Sequence, residues 1–167
     1  VEIGKLMDQA AELVVYDRAD GKVGVHAGEY VAPTIRLTEN DIIALSFDAN
    51  RRRSTNVLAV RGRYTSPEDK FVTKDAAIYG NPYISDDSSQ LTRTVDNQAV
   101  QSHNHMARLE KLTYIRANAP RVKVVAHYDA AKNVPYSRFV TVHMLPRLNE
   151  ASIELTGRPK ISLANLT

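Results

Sequence analysis

The chain has 167 residues, 22 Lys and Arg against 19 Asp and Glu for a formal net charge of +3, and neither Cys nor Trp. Without Cys there is no disulfide scaffold, thiolate zinc site, iron–sulfur cluster or thiol nucleophile. No apolar run approaches the roughly 20 residues of a membrane-spanning helix, so no membrane partner is expected, and a charge of +3 does not by itself point to nucleic acid. With 43% apolar and 25% charged residues, the composition is that of a globular protein of one domain or a tightly joined pair. The chain opens at Val1-Glu2-Ile3, without Met and already in a helical pattern. A portion of a longer polypeptide is therefore expected.

Ile3, Leu6, Ala10 and Leu13 recur at helical spacing and predict a short N-terminal amphipathic helix over 3–14. The period then changes to two. Val14-Val15-Tyr16 and Lys22 to Ala27 read as the strands of a hairpin closed by Asp20-Gly21. Thr34 to Leu37 is a further short segment after Pro33. Thr38 with Asp41 resembles a helix-start box, leaving Ile42 to Ser46 as a helical turn or the start of a strand. Residues 54–65 are the clearest long strand, broken by the turn Thr65-Ser66-Pro67-Glu68-Asp69.

Residues 66–90 contain Pro67, Gly80, Pro82 and the polar stretch Ser85 to Gln90. They are expected to form an extended excursion of the functional or interface-forming kind. Asp96 is a candidate N-cap for one long helix over about 97–117, ended by Ala119-Pro120. Its apolar stripe runs through Ala99, His103, Met106, Leu109 and Thr113, with Leu112 at the edge. Val122 to His127, Phe139 to Leu145 and Ser152 to Leu155 read as strands, with Asn133-Val134-Pro135 as a turn. The expected fold class is α+β: mainly antiparallel sheet, one long helix packed on it and the short N-terminal helix. The expected organisation is a single compact unit over 1–167, or two subdomains with 66–90 as the excursion.

Little in the chain carries recognisable chemistry. His103 and His105 are two apart, which on a helix points them about 200° away from each other. The spacing of four with a following Glu that marks a helical zinc site is absent. Asp86-Asp87-Ser88-Ser89 lacks the spaced acids and terminal Glu of a calcium loop. There is no Gly-x-Ser-x-Gly elbow and no Walker phosphate loop. No cofactor, metal or catalytic residue is assigned, and the chain is not read as an enzyme. Arg51, Arg52, Arg53, Arg61 and Arg63 make a basic segment. Nucleic acid is disfavoured for it because Glu39, Asp41, Asp48, Glu68 and Asp69 flank it and offset its field. A protein interface suits these residues better, since the planar Arg fork pairs well with carboxylates. Together with Tyr79 and Tyr83 from the excursion they form the candidate subunit interface.

Leu13-Val14-Val15-Tyr16, Asp20-Gly21-Lys22, Ala27-Gly28-Glu29-Tyr30, Pro33 and Leu37-Thr38-Glu39-Asn40-Asp41 follow one another in an order that resembles the tail tip attachment proteins of lambda-like phages. The same order resembles putative phage tail proteins and baseplate hubs of contractile tails. Arg51-Arg52-Arg53-Ser54 stands at the family's Arg-rich step, followed by Asn56, Val57, Val60, Arg61-Gly62, Tyr64-Thr65 and Pro67. Gln98-Ala99 and Met106-Ala107-Arg108-Leu109 match its later helix. The resemblance spans about 6–145. It departs at Val134-Pro135-Tyr136, where a Gly-Asp turn is usual. It implies a structural part of a larger hub, assembled in a bacterial host cytoplasm and carried in the virion tail. It further implies self-association, as a trimer in the full-length protein, with the tail tube and tape-measure proteins as partners and no catalytic residues to carry over. Two rival readings stand beside it. A glycan-binding module would line a groove with Tyr79, Tyr83 and Tyr136, and a cell-wall hydrolase would converge carboxylates in a cleft.

Overall fold

The computed structural model describes residues 2–18, 20–48, 56–81, 91–156, 160 and 162. The chain divides into two compact units, Val1–Glu12 with Asp48–Arg121 and Leu13–Phe47 with Val122–Thr167. Arg51, Arg52, Arg53 and Tyr83 lie outside the described residues, as does the whole of Ser85 to Gln90.

The first unit begins with helix α1 (Glu2–Ala11) and is built on strand β5 (Ala59–Ser66). Strands β6 (Val72–Asp75) and β7 (Tyr79–Gly80) pair antiparallel with the two halves of one edge of β5. Strand β8 (Thr92–Asp96) pairs parallel with the other edge. The excursion therefore supplies two strands, and its length permits the crossover that a parallel partner needs. Helix α2 (His103–Asn118) packs on β5. It buries Met106, Leu109, Glu110 and Ala117, an inward stripe at three- and four-residue spacing. Val60, Val100 and Met106 are fully shielded from solvent, and Val57, Tyr64, Val95 and Tyr114 complete this core.

The second unit holds the hairpin of β1 (Val14–Asp17) and β2 (Val23–His26), closed through Gly21 at φ 75°. That left-handed conformation suits glycine because a Cβ would crowd the backbone. β4 (Ile42–Asp48) pairs with β9 (Arg121–Ala126). A three-stranded sheet runs in the order β11 (Leu148–Glu154), β10 (Phe139–Met144), β3 (Arg36–Leu37). In it, β10–β11 is antiparallel and β10–β3 parallel. Helix α3 (Tyr128–Ala131) and a 3-10 turn at Val134–Tyr136 close the unit. Its core is Leu37, Ile42, Val134, Val140 and Val142.

The α+β reading holds in its coarse form: β1–β2, β10–β11, β5–β6 and β5–β7 pair antiparallel, and β10–β3 and β5–β8 pair parallel. The single long helix over 97–117 is corrected. The longest described helix has 16 residues and begins at His103. Asp96 ends β8 instead of capping a helix. The Asn97 side-chain oxygen then accepts from the Ala99 N–H at 2.9 Å, and its amide donates to the Leu6 carbonyl at 3.0 Å. A local Asx bond of this kind competes with helix and stabilises a turn. The Val100 carbonyl also accepts from the Thr65 N–H at 2.9 Å, tying that turn to β5. At the other end the helix stops before Pro120 as expected. There Asn118 clamps the Val57 backbone, accepting its N–H at 3.1 Å and donating to its carbonyl at 2.8 Å.

Thr38 and Asp41 do bond, but as a turn into a strand. The Thr38 N–H and hydroxyl both donate to Asp41 Oδ2, at 2.8 and 2.6 Å. These bonds hold the Asp41 carboxyl below its ordinary pKa. β4 follows, because Ile42 to Asp48 pairs with β9 instead of turning.

Candidate subunit contact face

Side chains alternate across a strand, and β5 uses both faces. Val60, Gly62 and Tyr64 face α2, while Arg61 and Arg63 face the other way. Opposite residues on paired strands share a face. Thr94 is the register partner of Arg61 on β8, and Asp75 is the partner of Arg63 on β6. These four, with Ala76 and Ile78, line a depression of about 420 Å³. Asp75 is the carboxylate in that lining. Arg63 donates from Nε to Asp75 Oδ1 at 3.1 Å, and both side chains are well exposed. An exposed pair of this kind contributes at most about 1 kcal/mol to stability. Its weight lies in the charge pattern it displays. Arg61 is half-buried in the lining of the depression.

The structure thus brings Arg61 and Arg63 together and separates Tyr79 from them. Tyr79 is opposite Val60 and turns to the helix side. Its ring meets Tyr114 of α2 edge-on, with centroids 5.3 Å apart. It serves the packing of β7 against α2. Tyr136, grouped with it in the glycan reading, belongs to the 3-10 turn of the other unit.

The histidines have separate partners. His103 receives the Ala77 N–H at 3.4 Å and meets the Tyr64 ring edge-on. His105 Nε2 is 2.8 Å from the Ala10 carbonyl oxygen. His26 stacks on Tyr16 with centroids 4.4 Å apart. Among the described residues no three His, Asp or Glu side chains converge as metal ligands do.

The second unit carries two ionic clusters. Arg36 forks onto Glu150, with Nε 3.0 Å from Oε1, and His143 Nδ1 is 3.2 Å from the same oxygen. The Arg36 hydrogen bonds hold the Glu150 carboxyl below its ordinary pKa, and the guanidinium is raised in return. Arg138 is the buried cation of this unit. Its Nε and a terminal nitrogen donate to Glu154 Oε1 at 3.1 and 2.9 Å, and its other terminal nitrogen donates to the Ala27 carbonyl.

Two residues with strong structural roles escaped the sequence reading. Glu110 is almost wholly buried under α2, although a helical Glu is ordinarily solvated. Arg138 stands just before a strand with nothing in its neighbours to mark it. Its partner Glu154 lies across the β10–β11 hairpin, which pairs Phe139 with Glu154. Once that hairpin is proposed, the pair becomes a visible signal.

No family model matches the chain, and no curated protein matches it. Among solved structures, it is similar to a chain in the virion of a native gene transfer agent (GTA) particle. The TM-score is 0.63 at 9% sequence identity, and the match covers 85% of this chain and 32% of that one. At that identity the likeness is one of fold. The chain spans about a third of the length of the virion protein it matches.

Proposed function

We propose that the chain is a structural, non-catalytic component of a phage-like particle, part of a tail tip or baseplate hub that self-associates at the distal end of the tail tube. The observation that carries this reading is the fold likeness to a chain of a gene transfer agent virion, sustained over 85% of this chain. The order of motifs from Leu13 to Leu109 supports the tail-tip assignment. A homotrimer in the full-length protein, contact with tube and tape-measure proteins and a place in the virion tail belong to the same reading.

The Arg61–Arg63 face is the proposed subunit contact. It is concave, it lies on the side of β5 away from α2, and it combines basic side chains with Ile78 and Ala76. Interfaces favour this mixture of Arg forks and apolar lining. Sedimentation of the purified chain at rising concentration tests it, alongside the double charge reversal Arg61→Glu, Arg63→Glu. The native chain is expected to associate, and the double variant to remain monomeric with an unchanged far-UV spectrum. A native chain and a full-length protein that both stay monomeric at high concentration would overturn the assembly reading.

A further inference from the structure

Helix α2 meets β5 along Val60, Gly62 and Tyr64, and Glu110 sits in that seam. Its side chain is 1% exposed. The space it fills is the one that Gly62 leaves. A Cβ at Gly62 would lie 2.5 Å from Glu110 Oε1 and 2.5 Å from Met106 Cγ. Neither carboxyl oxygen has a hydrogen-bond partner among the described residues.

The groups around it compensate a negative charge only in part, through the Gly62 peptide group and His103. From α2 itself the neighbours are Met106 and, two turns away, His103. β5 presents Gly62 and Tyr64, and β8 presents Val95. α1 contributes Ala10 to this core, and Glu12, just after its end, is engaged by Arg108 and Arg116. On β7, Tyr79 is turned to Tyr114. Burial pushes the Glu110 carboxyl above its ordinary pKa, while the Gly62 peptide group and His103 pull it down by less. An unpartnered buried carboxylate is strongly disfavoured, whereas the neutral acid is tolerated.

We propose that Glu110 is a pH-sensitive latch in the α2–β5 seam. As a carboxylic acid it lies buried over Gly62. As a carboxylate it reaches water only by drawing the helix face that carries Met106 and Leu109 away from the strand. The latch stands whether or not the opposite face of β5 is a subunit contact.

The sign follows from proton linkage. In the unfolded chain Glu110 ionises in the ordinary Glu range, and in the folded chain it keeps its proton to higher pH. Folding therefore binds a proton. The stability is fully present below the ordinary Glu range and is lost as pH rises through the raised value. Within that window each pH unit shifts the closed-to-open ratio by up to about tenfold.

Hydrogen exchange of α2 and β5 amides from pH 5 to 8, corrected for intrinsic rates, tests the latch in the native chain and in Glu110→Gln. The native opening constant is expected to rise with pH by up to about tenfold per unit relative to the variant. Parallel profiles would overturn the proposal. A second measurement needs no variant: the Glu110 carboxyl carbon shift in isotope-labelled native protein. A midpoint above the ordinary carboxylate range supports the latch, and one within or below it overturns it.

Discussion

Arg138 shows what one side chain can hold. Its side chain is 6% exposed, and Glu154 and the Ala27 carbonyl, which its guanidinium bonds, lie in the second unit. Arg138→Ala removes the charge-assisted hydrogen bonds of a buried guanidinium, and it is expected to destabilise the chain by about 1–3 kcal/mol, read by denaturant unfolding. Glu150 is a contrasting case. Its carboxylate is exposed, and Arg36 holds it in the charged form. A carboxyl whose folded pKa is depressed adds stability above the ordinary Glu range, which is lost as pH falls through the lowered value. Glu150→Gln is therefore expected to lower the thermal midpoint slightly at neutral pH and to converge with the native chain in acid, so that its acid limb is flatter. A steepened acid limb would contradict this. Glu110 acts on the other side of the profile, with the opposite sign. The two carboxyls differ through burial and partner, not residue type.

At the scale of elements, the α2–β5 seam is closely packed in the first unit. Gly62 allows the approach, and Met106 and Glu110 occupy it. Gly62→Ala is expected to cost about 1–3 kcal/mol by overpacking. Adding Glu110→Ala to it should restore part of that loss, because the two residues share one space and their effects couple. Additive losses in a double-mutant cycle would contradict the packing described. This seam also marks what the sequence made legible. The core side of α2 was visible through Met106 and Leu109, and its end through Ala119-Pro120. Its start was misplaced, because Asp96 looks like a cap when β8 is not known to end there. The bond from Asn97 to Leu6 joins residues 91 positions apart, and no local pattern announces it. The hairpin at Asp20-Gly21 was legible, since Gly21 takes the left-handed conformation such turns demand. Strands β6 and β7 fall within the expected excursion. Each has four residues or fewer and is held by pairing with β5 more than by its own pattern. The site was legible in part. Alternation along Arg61-Gly62-Arg63 placed both cations on one face, whereas Tyr79 was assigned to the interface because its register with Val60 cannot be read from spacing.

At the scale of the molecule, the chain passes from the first unit to the second after Glu12, returns near Asp48 and leaves again near Arg121. Each unit thus depends on segments distant in sequence, which slows folding relative to a locally connected fold. The proposed contact face, carried on β5, is basic and exposed, so association through it should weaken as salt rises past the Debye regime of about 0.1 M. Unchanged association from 0.05 to about 1 M salt would move the contact to an apolar surface. The central claim concerns the particle. Particles purified from cells that encode this chain, labelled with antibody to it and imaged by electron microscopy, test that claim most directly. Label is expected at the distal end of the tail in every particle. Particles free of label, with the chain left in the soluble lysate, would contradict it.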